Sequence, residues 1–118
     1  MGGRPDHSLD RLLDLAGEVL VVSDDGHYWV KFEVRRVPVT PAKPHGLDYS
    51  LTLHGPGNDR LVGFDNAHPV RPAKRGEPQD HRHAYKVAKP YGYKDAAGLL
   101  EAFWAEVDAC LEKLRVKR

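Results

Sequence analysis

The chain of 118 residues has a single cysteine, a single methionine and no apolar run approaching the ~20 residues that a membrane-spanning helix needs. One cysteine, Cys110, excludes an internal disulfide, and the lack of any Cys-x-x-Cys pair excludes thiol exchange and a cysteine-built zinc site. Apolar packing inside a helix is the expected role for Cys110. The opening stretch "MGGRPDHSLDRL" has no apolar core of the kind a signal peptide carries, so the expected location is the cytoplasm, with no membrane partner. Net charge is also nearly absent: 18 Lys and Arg stand against 17 Asp and Glu. This excludes the general stickiness of a strongly basic protein towards polyanions. Internal repeats and low-complexity tracts are missing as well.

What is present is a composition suited to a folded chain, 41% hydrophobic and 30% charged, at a length that fits one domain over residues 1–118. The charge is unevenly spread. Residues 1–67 hold seven basic and ten acidic groups, whereas residues 68–94 hold seven basic groups (Arg71, Lys74, Arg75, Arg82, Lys86, Lys89, Lys94) and two acidic ones (Glu77, Asp80). A basic block inside a neutral chain can bind a polyanion, although charge runs are commonly just solvated faces.

Periodicity then divides the chain. "HSLDRLLDLAGEV" offers Ser8 as an N-cap and Leu9, Leu12 and Leu13 at helical spacing, which predicts a short helix from about 8 to 16 ended by Gly17. "EVLVVS", the turn signal Asp24-Asp25-Gly26 and "HYWVKFEVRRV" predict a hairpin with Tyr28, Val30, Phe32 and Val34 on its buried face. "PVTPAKPHGLD", with three prolines, is a loop. "YSLTLH" and "RLVGFDN" flank residues 55–59 and predict a second hairpin with a five-residue connection. Tyr49, Leu51, Leu53, Val62 and Phe64 face inward in it, and His54 and Asp65 lie on the outer face. Pro69, Pro72, Gly76 and Pro78 mark another loop, and "HRHAYKVAK" reads as a fifth strand in which His81, His83 and Tyr85 share a face.

The last element is the clearest. Asp95 caps a helix with Leu99, Leu100, Phe103, Val107, Cys110, Leu111 and Leu114 at spacings of three and four, and "PYGY" at 90–93 is the turn into it, with Gly92 allowing the bend. The expected fold class is α+β: a curved antiparallel sheet of about five strands, a long C-terminal helix packed on one face and a short N-terminal helix.

The segment "FDNAHPVRPAKRGEPQDHRHAYK" brings Asp65 and Asn66 at one strand end, His68 just after, and His81-x-His83 at the start of the next strand. Two histidines at i and i+2 with His68 or Asp65 could ligate a metal, but the pair is weak evidence and neither a metal nor another cofactor is expected. Acid–base chemistry is the second reading, because a histidine pair can hold one neutral base and one protonated acid near neutrality. With Arg82, Lys86 and Tyr85 nearby to balance charge, this meets what metal-independent RNA cleavage requires. A solvated strand end with idle histidines is the third reading.

The strand "LVGFDNAH", the proline-rich spacer, "HRHAYK" and the C-terminal amphipathic helix resemble the TumE family of toxin–antitoxin proteins, over about residues 49–113. The resemblance implies the toxin half of a two-gene module, held inactive by a cognate DNA-binding antitoxin, with RNA as the expected target. It marks Asp65, Asn66, His68, His81 and His83.

Two function classes follow. In the first, a ribonuclease-like toxin uses His68 with His83 or His81 as the acid–base pair, Asp65 orients an imidazole, Asn66 and Tyr85 complete the site, and Arg75, Arg82, Lys86 and Lys89 meet the phosphates. In the second, a non-catalytic module grips nucleic acid or protein with the basic loop (Lys74, Arg75) and exposed Tyr91 and Tyr93. An outward Trp29 suggests a homodimer contact, and Trp104 a shield at the core edge.

Overall fold

The computed structural model describes residues 8–41, 43–66, 80–84 and 87–118, and for residues 81, 83, 84 and 87–90 the backbone alone. Among the described residues, two α-helices, α1 (Leu9–Asp14) and α2 (Ala96–Lys113), accompany six strands: β1 (Val19–Val21), β2 (Trp29–Arg36), β3 (Leu47–His54), β4 (Arg60–Asp65), β5 (His81–Ala84) and β6 (Val87–Pro90). The strands form one antiparallel sheet in the order of the chain, β1 to β6. The α+β class and the long and short helices are as the sequence predicts. The strand count is not: the segment expected as one fifth strand contains two, β5 and β6, with Ala84 paired to Val87. No Gly, Pro, Asn or Asp separates the two strands, so the segment carries none of the usual signals of a hairpin connection.

The core lies between α2 and one sheet face. Alternation along β2 and β3 sends Val30, Phe32, Tyr49, Leu51 and Leu53 inward, each at most 1% exposed. They meet Leu99, Phe103, Val107, Cys110 and Leu111 from the apolar stripe of α2, all buried. Phe103 is central, edge-on to Phe32 at 5.8 Å and to Phe64 at 6.2 Å. Trp104 leans on Phe32 and Phe103 at the core margin. Leu114, placed by its spacing on the same stripe, is exposed because the helix has already ended.

Helix ends show where local rules held. Asp95 is extended and its Oδ1 accepts from the Gly98 N–H at 2.7 Å, a standard N-cap. Ser8 differs: its backbone is already helical and its hydroxyl makes no cap bond in α1. Its Oγ accepts instead from the Ala97 N–H at 2.8 Å, so the residue expected to cap the first helix serves the first turn of the last.

The β1–β2 turn is built on Ser23 and Asp25. Ser23 Oγ donates to Asp25 Oδ1 (2.7 Å) and accepts from the Tyr28 N–H (3.1 Å), and Asp25 also accepts from the His27 N–H (2.9 Å). The His27 backbone bond, then that of Ser23, holds the Asp25 carboxyl below its usual range. The β3–β4 connection spans residues 55–59 as predicted, with a 3-10 turn over Pro56–Asn58. Where the sequence suggests a dimer contact for Trp29, the half-buried ring stacks within the chain on His54, at 4.3 Å and 13° between planes.

Candidate functional site

An antiparallel meander gathers alternate strand ends at one edge of the sheet. Here that edge holds the start of β3, the end of β4, the start of β5 and the end of β6. Asp65 closes β4 in register with Ser50 on one side and His81 on the other. It is only 5% exposed, and Asn66 beside it is fully buried. The outer-face position expected for Asp65 is therefore a covered one.

Asn66 continues the ladder by an unusual route. Its backbone N–H donates to the Tyr49 carbonyl (3.3 Å), but the Tyr49 N–H donates to Asn66 Oδ1 (3.0 Å) rather than to the Asn66 main-chain oxygen. Asn66 Nδ2 meanwhile donates to the Leu47 carbonyl at 2.7 Å. The side-chain amide thus takes over the pairing of the strand, and the main-chain oxygen accepts from Lys43 Nζ. At least part of the role marked for Asn66 is to stitch β4 to β3.

Asp80 precedes β5 directly, and its backbone oxygen accepts from the Tyr91 N–H at 3.1 Å. Its side chain is 2% exposed. A buried carboxylate needs partners, and Asp80 has one on each oxygen: His45 Nε2 lies 2.8 Å from Oδ1, and the Tyr49 hydroxyl donates to Oδ2 at 2.7 Å. His45 also stacks on Tyr93 at 3.8 Å between ring centres, and its side chain is 18% exposed. Burial, and then the Asp80 charge, push the Tyr49 phenol well above its ordinary range, so it remains a proton donor. Tyr91 is raised in the same way and packs edge-on to Phe64 at 5.1 Å.

His45 is aimed by the residue that follows it. Gly46 sits at φ +68°, a conformation that side chains rarely adopt, and an added Cβ would lie 3.3 Å from Val39 Cγ2. Through it the proline-rich loop closes with a Val37 N–H bond to the Gly46 carbonyl at 3.0 Å and delivers the chain into β3.

The residues singled out in the sequence fall into three groups. Asp65, Asn66 and the backbone of His81 meet at this edge, and His83 is in register with Gly63 two positions along. Arg82, read as a phosphate contact, pairs instead with Glu106 of α2 at 3.0 Å, and the Lys89 backbone is its register partner. His68, Tyr85, Arg75 and Lys86 lie outside the described residues, as does most of the basic block. Tyr91 and Tyr93, expected to be exposed, are half-buried and engaged with Phe64 and His45. Gly92 needs no glycine conformation.

Sequence reasoning passed over His45, Asp80 and the Tyr49 hydroxyl, which form a hydrogen-bonded cluster here. Their available signal was positional: each is polar and stands at a strand start that an antiparallel meander brings to the Asp65–Asn66 edge. Among the described residues, no group of three or more His, Cys, Asp or Glu is placed to hold a metal ion, and no helix is long and apolar enough to cross a membrane.

A family model described as Toxin TumE matches residues 11–111. No curated protein and no solved structure matches. Matched from α1 into the last turns of α2, the chain belongs to the TumE toxin family.

Proposed function

We propose that this chain is the toxin of a toxin–antitoxin module and that it cleaves RNA by histidine acid–base chemistry without a metal. The family match supports the toxin role and implies an antitoxin partner. The observation that carries the chemical part is the register of Asp65 with His81, at an edge where Asn66 and Asp80 are also buried. It draws "FD" of the first half of the sequence motif beside the backbone of "HRH" in the second.

In the reaction, a neutral imidazole removes the proton of a 2′-hydroxyl, and the 2′-oxygen attacks the adjacent phosphorus. The bond from phosphorus to the 5′-oxygen breaks, and a protonated imidazole supplies the proton that this oxygen takes up. The products are a 2′,3′-cyclic phosphate and a 5′-hydroxyl. The test is induction of the wild-type gene in bacteria beside a variant with His68→Ala, His81→Ala and His83→Ala, each confirmed folded. Arrest by the wild type alone, with new 5′-hydroxyl ends in total RNA that persist in chelator, is the expected result. No arrest with either, or intact RNA in arrested cells, overturns the reading.

A further inference from the structure

Of the three histidines whose side chains are described, His27 pairs with Asp25 in the open, at 3.4 Å with both side chains more than half exposed. His54 stacks on Trp29 and bonds Thr52 Oγ1 at 2.9 Å. His45 alone of these three meets a buried carboxylate, and that carboxylate has its second oxygen occupied by Tyr49. We propose that His45 is the general base of the RNA-cleaving site, with Asp80 and Tyr49 as its positioning residues.

The chemistry follows from donors and acceptors. The Asp80 carboxylate only accepts, so the ring proton of neutral His45 resides on Nε2, which lies 2.8 Å from it. Nδ1 is then the basic nitrogen, and among the described residues it has no hydrogen-bond partner. Tyr49 donates to the other oxygen and keeps the carboxylate from turning, and Tyr93 stacked on the ring restricts its tilt. An imidazole fixed in one tautomer by a buried carboxylate, with its second nitrogen unpartnered, is arranged to take a proton and to be stabilised when it does. Among the described residues, the titratable groups facing the pair are Tyr49 from β3, and Tyr91 and Tyr93 from the segment before α2, with Asp95 and Arg82 acting on Tyr91. Burial holds the Tyr49 and Tyr91 phenols above their ordinary range, so both stay protonated.

This assignment rests on the RNA-cleavage reading, and it places the base outside the histidines that the family motif marks. It extends the site across the β3 start to the proline-rich loop.

The experiment is cleavage of total bacterial RNA by purified wild type and by His45→Gln, Asp80→Asn and Tyr49→Phe, over pH 5–9. It is joined to a long-range 1H–15N spectrum of histidine-labelled protein. Gln can still donate to Asp80, so His45→Gln is the variant most apt to fold. Its cleavage rate should fall on the order of 100-fold or more, the usual contribution of a general base. Asp80→Asn should lose up to about 10⁴-fold, move the acidic limb of the pH profile to lower pH, and shift the His45 ring proton from Nε2 towards Nδ1. Tyr49→Phe should lose less and move the limb the other way, to higher pH, because a carboxylate without the phenol donor holds the protonated imidazole more strongly. Wild-type cleavage retained by a folded His45→Gln, or a wild-type spectrum with the proton on Nδ1, overturns the assignment and leaves the RNA reading standing. Failure of the wild type to cleave RNA overturns both. If His45→Gln does not fold, the tautomer and the Asp80→Asn pH profile decide.

Discussion

Replacing Asn66 by Ala isolates the pairing made by its side chain. Two buried backbone groups lose their partners at once, the Tyr49 N–H held at 3.0 Å and the Leu47 carbonyl held at 2.7 Å. A buried polar group left without a partner costs about 1–3 kcal/mol, so the pair should cost roughly 2–6 kcal/mol. Against the ~5–15 kcal/mol that stabilises a typical domain this is a large fraction. At roughly 4 °C per kcal/mol for a chain of this size, the melting temperature should drop by about 8–24 °C. Urea denaturation followed by the fluorescence of Trp104, which sits against the core, gives the number directly. Asn66→Asp sharpens the test. The carboxylate can still accept from Tyr49 N–H but turns an oxygen, with no proton, towards the Leu47 carbonyl. It should be at least as destabilising as Ala at neutral pH and recover as the pH falls and the carboxyl becomes a donor. An Asn66→Ala protein within about 0.5 kcal/mol of wild type, the range of an ordinary surface change, would refute the account of this strand end.

Three further outcomes can be measured on the same folded protein. Phe103→Ala empties the contact between Phe32, Phe64 and Trp104 and should cost about 3–5 kcal/mol in denaturant unfolding, whereas Phe103→Leu should cost clearly less. Burial and Asp80 raise the Tyr49 phenol in the folded state, so its contribution is complete below the unfolded value of about 10 and is lost as pH rises above it. Unfolding free energy should therefore fall with alkali beyond that point, and Tyr49→Phe should flatten the slope. Asp25 has the opposite sign: its lowered carboxyl stabilises the turn above the unfolded value of about 3.9 and ceases to do so as pH falls through the folded one. Asp25→Asn should flatten the acid limb of the stability curve, as read by thermal melts between pH 2 and 5.

Local signals carried most of the fold. The β1–β2 turn announced itself in Asp24-Asp25-Gly26, the β3–β4 connection in Gly55-Pro56-Gly57-Asn58-Asp59, and α2 in its capping aspartate and three-four spacing. The β5–β6 hairpin was invisible for the converse reason, since a run from His81 to Lys89 with no Gly, Pro, Asn or Asp gives pattern reasoning nothing on which to turn the chain. Ser8 was misread for another reason: it has the right chemistry to cap α1, but the tertiary structure supplied a different partner, the Ala97 N–H. The candidate site was half legible. Asp65, Asn66 and His81 are close in the motif and meet through one strand pair. His45 and Asp80 are 35 residues apart, separated by two strands, and neither lies in a spacing that any local pattern links.

Tyr49 joins those two halves. Its N–H is held by Asn66, a residue the motif marks, and its hydroxyl holds Asp80, which the motif does not include. Its ring faces the core, so the phenol reaches the carboxylate from the interior side while His45 reaches it from the loop. A change at Asn66 therefore acts on the placement of Asp80 as well as on the strand, and loss of activity in Asn66→Ala cannot by itself separate chemistry from stability. Tyr49→Phe keeps the ring, the N–H and the ladder and removes only the hydroxyl, so its effect on stability is confined to the Asp80 oxygen that loses a donor. If Asn66 serves the site through Tyr49, the double change Asn66→Ala with Tyr49→Phe should lose no more positioning of His45, read as its Nε2–H tautomer, than the more disruptive single change. Independent, additive losses would instead show that Asn66 acts on the site by a route other than Tyr49.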